Sequence, residues 1–275
     1  MSASDIILAG VPRSGTTLTC HLLNKLPNVV ALHEPITPPE YRGLETKEII
    51  TRLRRFFLEQ RESLLRDGVA TSKSAGGMVP DNSIKGIDQK TGKRKNILNG
   101  KILVVNKPLT VDFDLAIKHP NFFTAKLQDL VHHFECYAII RNPLSALLSW
   151  NSVDMFVSRG HAPGAEAFDK DLSIRLSNED DVLSRQLILI SWYFEKYARI
   201  LPAERIVRYE DLIASGGREL TKISVSATQL DEPLVSKNDN RYCDQAKKHL
   251  IAEKLLKSDG CYWTFYDKKE ILRLL

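Results

Sequence analysis

The sequence predicts an α/β fold of three layers, α/β/α, around a central parallel sheet of four or five strands. Three observations predict it. Short apolar runs recur near residues 5–10, 28–32, 101–106, 135–141 and 204–208. Segments with helical spacing separate most of them. The runs end in polar residues close to Gly or Pro, as expected where strands leave a sheet at its carboxyl edge. With 275 residues, 43% hydrophobic and 27% charged, the chain suits one globular domain, residues 1–275, carrying an insertion.

The first run, Ile6-Ile7-Leu8-Ala9, leads into Gly10-Val11-Pro12-Arg13-Ser14-Gly15-Thr16-Thr17. Leu18, Leu22, Leu23 and Leu26 follow at helical spacing. Strand, glycine-bounded loop and helix together aim backbone N–H groups at one point, where an anion such as a phosphate is held. Gly10, Gly15 and Thr17 fit the spacing G-x-x-x-x-G-x-[ST] of a phosphate-binding loop, so the fold is P-loop-like. Thr16 stands where a nucleoside-triphosphatase has Lys, and the cation comes earlier, at Arg13.

The second run, Asn28 to Leu32, ends in His33-Glu34-Pro35. Pro35 makes Glu34 extended, blocks a helix there and leaves it at the ligand edge of the sheet. Glu34 is a candidate base, or a plain loop carboxylate; the neutral imidazole of His33 competes for the role. Residues 45–67 read as an amphipathic helix, with Ile49, Leu53, Phe57 and Leu64 on one face. Residues 69–100 are rich in turns and read as an insertion with a hairpin near 90–95. Between Lys73 and Lys95 it holds six cations against two anions. This is a solvated basic loop or an acceptor-side flap.

Lys101 to Asn106 reads as a buried strand, ending in Asn106-Lys107-Pro108. Lys107 is thereby placed near the site, or simply caps a strand. Cys136 to Ile140 is a further strand, ending in Arg141-Asn142-Pro143. Asn142 suits an N-cap and Pro143 the first helical position. Ser149 lies along that helix. Residues 155–180 read as irregular, and 181–201 as a long core helix. Residues 205–212 read as a last strand running into a helix.

Two of these stretches carry a resemblance. Pro12-Arg13-Ser14-Gly15-Thr16-Thr17 resembles the 5′-phosphosulfate loop of sulfotransferases that use 3′-phosphoadenosine 5′-phosphosulfate (PAPS). Arg141 with Ser149 resembles their 3′-phosphate site, where a guanidinium fork suits a terminal phosphate. The Glu34-Pro35 pair is similar to the pattern of the carbohydrate and bacterial branch, in which that glutamate is the proposed base. The resemblance implies sulfuryl transfer from PAPS, leaving PAP, to an acceptor hydroxyl or amine, a glycan or another small hydroxylated compound. It implies that Arg13, Ser14, Gly15, Thr16, Thr17, Arg141 and Ser149 bind the nucleotide. Glu34 or His33 then acts as base and Lys107 faces the transferred group. It also implies that Arg208-Tyr209-Glu210-Asp211-Leu212 is a structural signature, with Tyr209 beneath the nucleotide and Asp211 capping a helix. Lys237 and Arg241 are weaker candidates.

Other readings are a P-loop kinase or NTPase, and a nucleotide-binding module without turnover. A kinase needs the loop Lys and an acidic strand end that helps hold Mg²⁺. A site of Arg13, Lys107 and Arg141 neutralises phosphates without a metal. The net charge of +5 fits an anionic ligand and is too small to argue for nucleic acid. Four dispersed cysteines suggest reduced thiols. No apolar run is long enough to span a membrane, and a strand beginning near residue 5 leaves no room for a leader. The expectation is a cytoplasmic protein.

Overall fold

The computed structural model describes residues 4–87, 92–238 and 245–275. In chain order the strands are β1 (Asp5–Gly10), β2 (Val29–His33), β3 (Val69–Ser74), β4 (Ile84–Ile87), β5 (Arg94–Asn96), β6 (Gly100–Val104), β7 (Asp114–Lys118), β8 (Glu135–Ile140) and β9 (Ile206–Arg208). The helices are α1 (Thr16–Leu23), α2 (Thr46–Asp67), α3 (Pro120–Ala125), α4 (Leu127–Leu130), α5 (Pro143–Asn151), α6 (Pro163–Glu166), α7 (Lys170–Ser177), α8 (Val182–Ile200), α9 (Tyr209–Ala214), α10 (Gln245–Leu256) and α11 (Lys268–Leu272).

Five strands form one parallel sheet in the order β2-β7-β1-β8-β9, flanked by helices. This is the predicted α/β class. Helix-covered parallel strands must be apolar on both faces, and Ile6, Ile7, Leu8, Ala9, Ala138, Ile139 and Ile140 are fully buried. β1 lies in the middle, so its loop opens between the carboxyl ends of β7 and β8. Register makes this concrete: Leu8 pairs with Lys118, His33 pairs with Lys118, and Gly10 pairs with Ile139.

The strand expected at 101–106 is a correction. β6 forms there, but it pairs antiparallel with β3 in a separate two-stranded sheet. Ile102 and Val104 are 56% and 44% exposed, so the run is apolar without being buried on both faces. β7 takes its place in the central sheet. The expected hairpin is present as the antiparallel pair β4 and β5. Its turn, with Lys90, lies outside the described residues, as do Arg241 and Cys243.

The stretch 155–180 is also more regular than expected, because it contains α6 and α7, the latter capped by the Asp169 carboxylate accepting from Leu172 N. Asn142 is the N-cap of α5, as expected, and accepts from Leu144 N and Ser145 N. Asp211 does not cap α9: Arg208 holds the N-cap position and Asp211 sits in the first turn. Cys20 and Cys136 are buried free thiols, and burial pushes both up to about 12. Among the described residues no helix is long and apolar enough to cross a membrane.

Candidate active site

The loop after β1 is held by bonds from three directions. Ser14 Oγ donates to Ile139 O at 2.7 Å, and Val11 N to the same oxygen at 3.0 Å. The buried Trp150 indole donates to Pro12 O at 2.7 Å. Arg141 Nη1 donates to Arg13 O at 3.1 Å. The constraint is visible in the backbone, since Arg13 has φ of 69° and Gly15 a φ of 92°. Gly15 is required twice over: a Cβ there would sit 2.8 Å from the Tyr209 ring. Thr16 and Thr17 begin α1 and are nearly buried.

On the β8 side of the loop the structure brings Arg13, Arg141 and Ser149 together. Arg13 Nε donates to Ser149 Oγ at 3.3 Å and Nη2 to Asn82 Oδ1 at 3.2 Å. Arg141 lies with its guanidinium 4.5 Å from the Tyr209 ring centre, so Tyr209 does pack beneath this site. Arg141 also donates to Asn238 Oδ1 at 2.7 Å and to the Lys237 carbonyl. Lys237 thus contributes its backbone here. All these acceptors are neutral. Among the described residues neither Arg13 nor Arg141 has a carboxylate salt-bridge partner. Glu210 is near, but its Oε1 accepts from Asn142 N and Asn238 Nδ2. Burial, with Arg94 and Arg141 close by, pushes the Arg13 guanidinium down to about 9. Burial also lowers Arg141. Two largely desolvated cations, neither with a carboxylate salt-bridge partner among the described residues, make a strong anion site.

On the β7 side, Thr17 Oγ1 lies 3.1 Å from His33 Nε2, and Lys118 Nζ lies 3.1 Å from the same nitrogen. Lys118 Nζ also donates to Glu34 Oε1 at 2.7 Å, and Lys73 Nζ to Glu34 Oε2 at 2.7 Å. Burial alone would push the Glu34 carboxyl up. The Lys118 ammonium, followed by His33, His119 and Lys73, outweighs it and holds Glu34 well below the usual carboxylate range. Glu34 does not take the extended backbone expected before Pro35: its φ is 46°, left-handed and strained for a non-glycine.

His33 is in reach, but its Nε2 is engaged by Lys118 Nζ and Thr17 Oγ1, each at 3.1 Å, and its Nδ1 is buried with no hydrogen-bond partner among the described residues. Burial, then Lys118, pushes His33 down to about 3. It acts here as a support for Lys118 and Thr17.

Lys107 is a correction. Its ammonium donates to the carbonyls of Asn24, Leu26 and Val29, which ties the end of α1 to the start of β2. It does not line the cavity beside the loop. Its strand runs in the small sheet, so its end is not at the site. Two residues that sequence reasoning missed stand there instead, Lys118 and His119. The pattern that could have found them is Leu115-Ala116-Ile117-Lys118-His119-Pro120, which repeats the plan of Ala138-Ile139-Ile140-Arg141-Asn142-Pro143. Each is an apolar run, a cation at the strand end, and a proline opening a helix.

A cavity of about 990 Å³ lies beside the loop and reaches Arg13, Arg141, Lys118 and Glu34. A second, of about 590 Å³, adjoins it. Glu34, Lys73, His119 and Phe156 line both. The 69–100 segment serves both sides: Lys73 reaches Glu34 and Asn82 reaches Arg13. Among the described residues no group of three or more His, Cys, Asp or Glu is placed to hold a metal ion.

The two histidines predict acid sensitivity. Burial pushes His119 down to about 4 and His33 to about 3. Both stay neutral in the fold but titrate near 6.5 when unfolded. Between about pH 6.5 and 4 the unfolded chain therefore binds protons that the folded chain refuses. Stability present above that window is lost as pH falls through it, by up to about 1.4 kcal/mol per pH unit for each histidine. Glu34 adds the same sign below its ordinary 4.5. Urea denaturation across this range should show the slope, and the double variant His33→Asn/His119→Asn should flatten it. An unchanged slope in that variant would assign the acid sensitivity elsewhere.

No family model matches the chain, and no curated protein matches it. Among solved structures the chain is similar to the crystal structure of the sulfotransferase STF1 from Mycobacterium tuberculosis H37Rv. The TM-score is 0.40 and the identity 11%, over 93% of this chain and 77% of that chain. So remote a likeness names no family for the chain.

Proposed function

We propose that the chain is a single-domain, cytoplasmic sulfotransferase that moves a sulfuryl group from PAPS to an acceptor hydroxyl. The observation that carries this reading is the pair of guanidinium groups, Arg13 and Arg141, without a carboxylate partner among the described residues. They flank the glycine-bounded loop that leads into α1 and lines the cavity. The fit to the nucleotide is supported by the Gly15 cradle, where any side chain would strike Tyr209.

Ser14, whose N–H donates to Val11 O and whose hydroxyl donates to Ile139 O, fixes the loop. Arg13 and the N–H groups of Gly15, Thr16 and Thr17 hold the 5′-phosphosulfate end. They stabilise charge growing on the leaving phosphate. Arg141 holds the 3′-phosphate, while Ser149, buried and outside the cavity lining, accepts from Arg13 and sets its position. The bound donor supplies an activated sulfuryl group and departs as PAP. Lys118 takes the role first expected of Lys107, neutralising the oxygens of the group in transit. Glu34 accepts the proton of the acceptor hydroxyl. It is ionised throughout the working range, and a weak base is enough once the attacking oxygen has begun to bond and its proton has become acidic.

The rival, a kinase, needs a loop lysine and an acidic strand end. The strands beside β1 end in Lys118 and Arg141 instead. Calorimetry decides between them. PAP should bind without Mg²⁺ and more tightly than ATP. Mg²⁺-dependent ATP binding, with PAP the weaker ligand, would overturn the reading.

A further inference from the structure

The second cavity has a composition that narrows the acceptor. Near Glu34 its wall is Pro35, Ile36, Pro38 and Pro39, and Pro163 and Ala167 also line it. These groups carry no free side-chain donors or acceptors. The Ser72 hydroxyl at this wall is already engaged, accepting from His33 N at 2.9 Å and donating to Lys73 O at 3.2 Å. Thr37, Thr71 and His119 remain as uncharged polar side chains. A sugar hydroxyl turned against this proline face would find no side-chain partner there, at a cost for each. A compact apolar skeleton fits the surface offered.

The charge is lopsided as well. Arg42, Lys73 and Lys101 line this cavity, against Glu34 as its one carboxylate. Glu34 is already shared between Lys118 and Lys73. Neither the Arg42 nor the Lys101 side chain has a carboxylate partner among the described residues. Lys73 is half exposed and stands at the junction of the two cavities.

We infer that the acceptor is a small hydroxy acid: an apolar body in the proline-walled cavity, its hydroxyl at Glu34, and its anionic end held by Arg42 and Lys101. This rests on the sulfotransferase reading and names the substrate class of that site. It also departs from the glycan acceptor that the Glu34-Pro35 pattern suggested. Carboxylate, sulfate and phosphate ends share the required chemistry, and the carboxylate serves as the probe.

The test is calorimetric, on the full chain saturated with PAP. PAP is titrated first, so failure of the donor site is seen separately from failure of the acceptor assignment. The probes are then 4-hydroxyphenylacetate and 6-hydroxyhexanoate, each against its neutral methyl ester, together with glucuronate. At least one hydroxy acid should bind about tenfold more tightly than its ester and than glucuronate, the scale of one charge-assisted contact. The double variant Arg42→Ala/Lys101→Ala should erase that preference and leave PAP affinity unchanged. Equal binding of acid and ester, glucuronate binding as tightly, or a preference that survives the double substitution would each overturn the assignment.

Discussion

Glu34→Gln should lower turnover by about 10²- to 10⁴-fold, the usual contribution of a positioned general base, and leave PAP affinity within about twofold. The amide keeps the size and the hydrogen-bonding reach of the side chain but cannot take a proton. The substitution also removes the counter-charge of Lys118, whose side chain is 4% exposed. Breaking a buried pair from one side costs about 3–5 kcal/mol. Glu34 keeps 24% exposure and Lys73 reaches it from solvent, so the loss here should fall below that range. The rate must therefore be measured on protein shown to be folded, with PAP binding as the internal standard. Turnover within tenfold of the wild type would pass the proton to His119 at the same junction, whose Nδ1 has no hydrogen-bond partner among the described residues.

Arg13→Met should move two measurements in opposite directions. PAP affinity falls by about 1–3 kcal/mol, the range for losing a charged hydrogen bond. The free protein becomes no less stable, and by about 1 kcal/mol more stable, since a desolvated cation crowded by Arg94 and Arg141 is replaced with an apolar side chain of similar length. Such opposition is expected where a site stores unfavourable charge for use on a ligand. Arg141→Ala separates the two effects differently. Arg141 also donates to Arg13 O, Lys237 O and Asn238, so its loss should weaken both PAP binding and the fold. Thermal denaturation paired with PAP titration checks both variants. Unchanged PAP affinity in Arg13→Met would remove the loop from the donor site.

Much of this was legible in the chain, for physical reasons. β1, β2 and β8 are continuous apolar runs because helices cover both faces of the sheet, and such burial leaves a plain mark. α2 and α8 were legible from apolar residues at helical spacing, and the loop from glycines that its geometry demands. β7 was not legible. Its apolar centre is just Leu115, Ala116 and Ile117, with Asp114 and Lys118 at its ends. The run at 102–105 is equally apolar and one residue longer, yet it leads out of the small sheet with Ile102 and Val104 turned outward. Apolarity marks what a residue tolerates, and a partner strand 26 or more residues away decides what it receives. Lys107 was misplaced for the same reason, and Lys118 missed with it. The contribution of Asn82 and Lys73 to opposite ends of the site had no local mark at all, because both depend on how the 69–100 segment folds back.

The loop's fixings bear on how fast a ligand arrives. Ser14, Trp150 and Arg141 lock the turn around Arg13 from the rest of the fold, so its left-handed backbone is set as the chain folds and needs no rearrangement later. Capture of an anion then resembles the docking of two rigid bodies, and its speed is governed by long-range attraction to the arginines. Association should accelerate in dilute buffer and slow as electrolyte is added, while the rate of escape changes little.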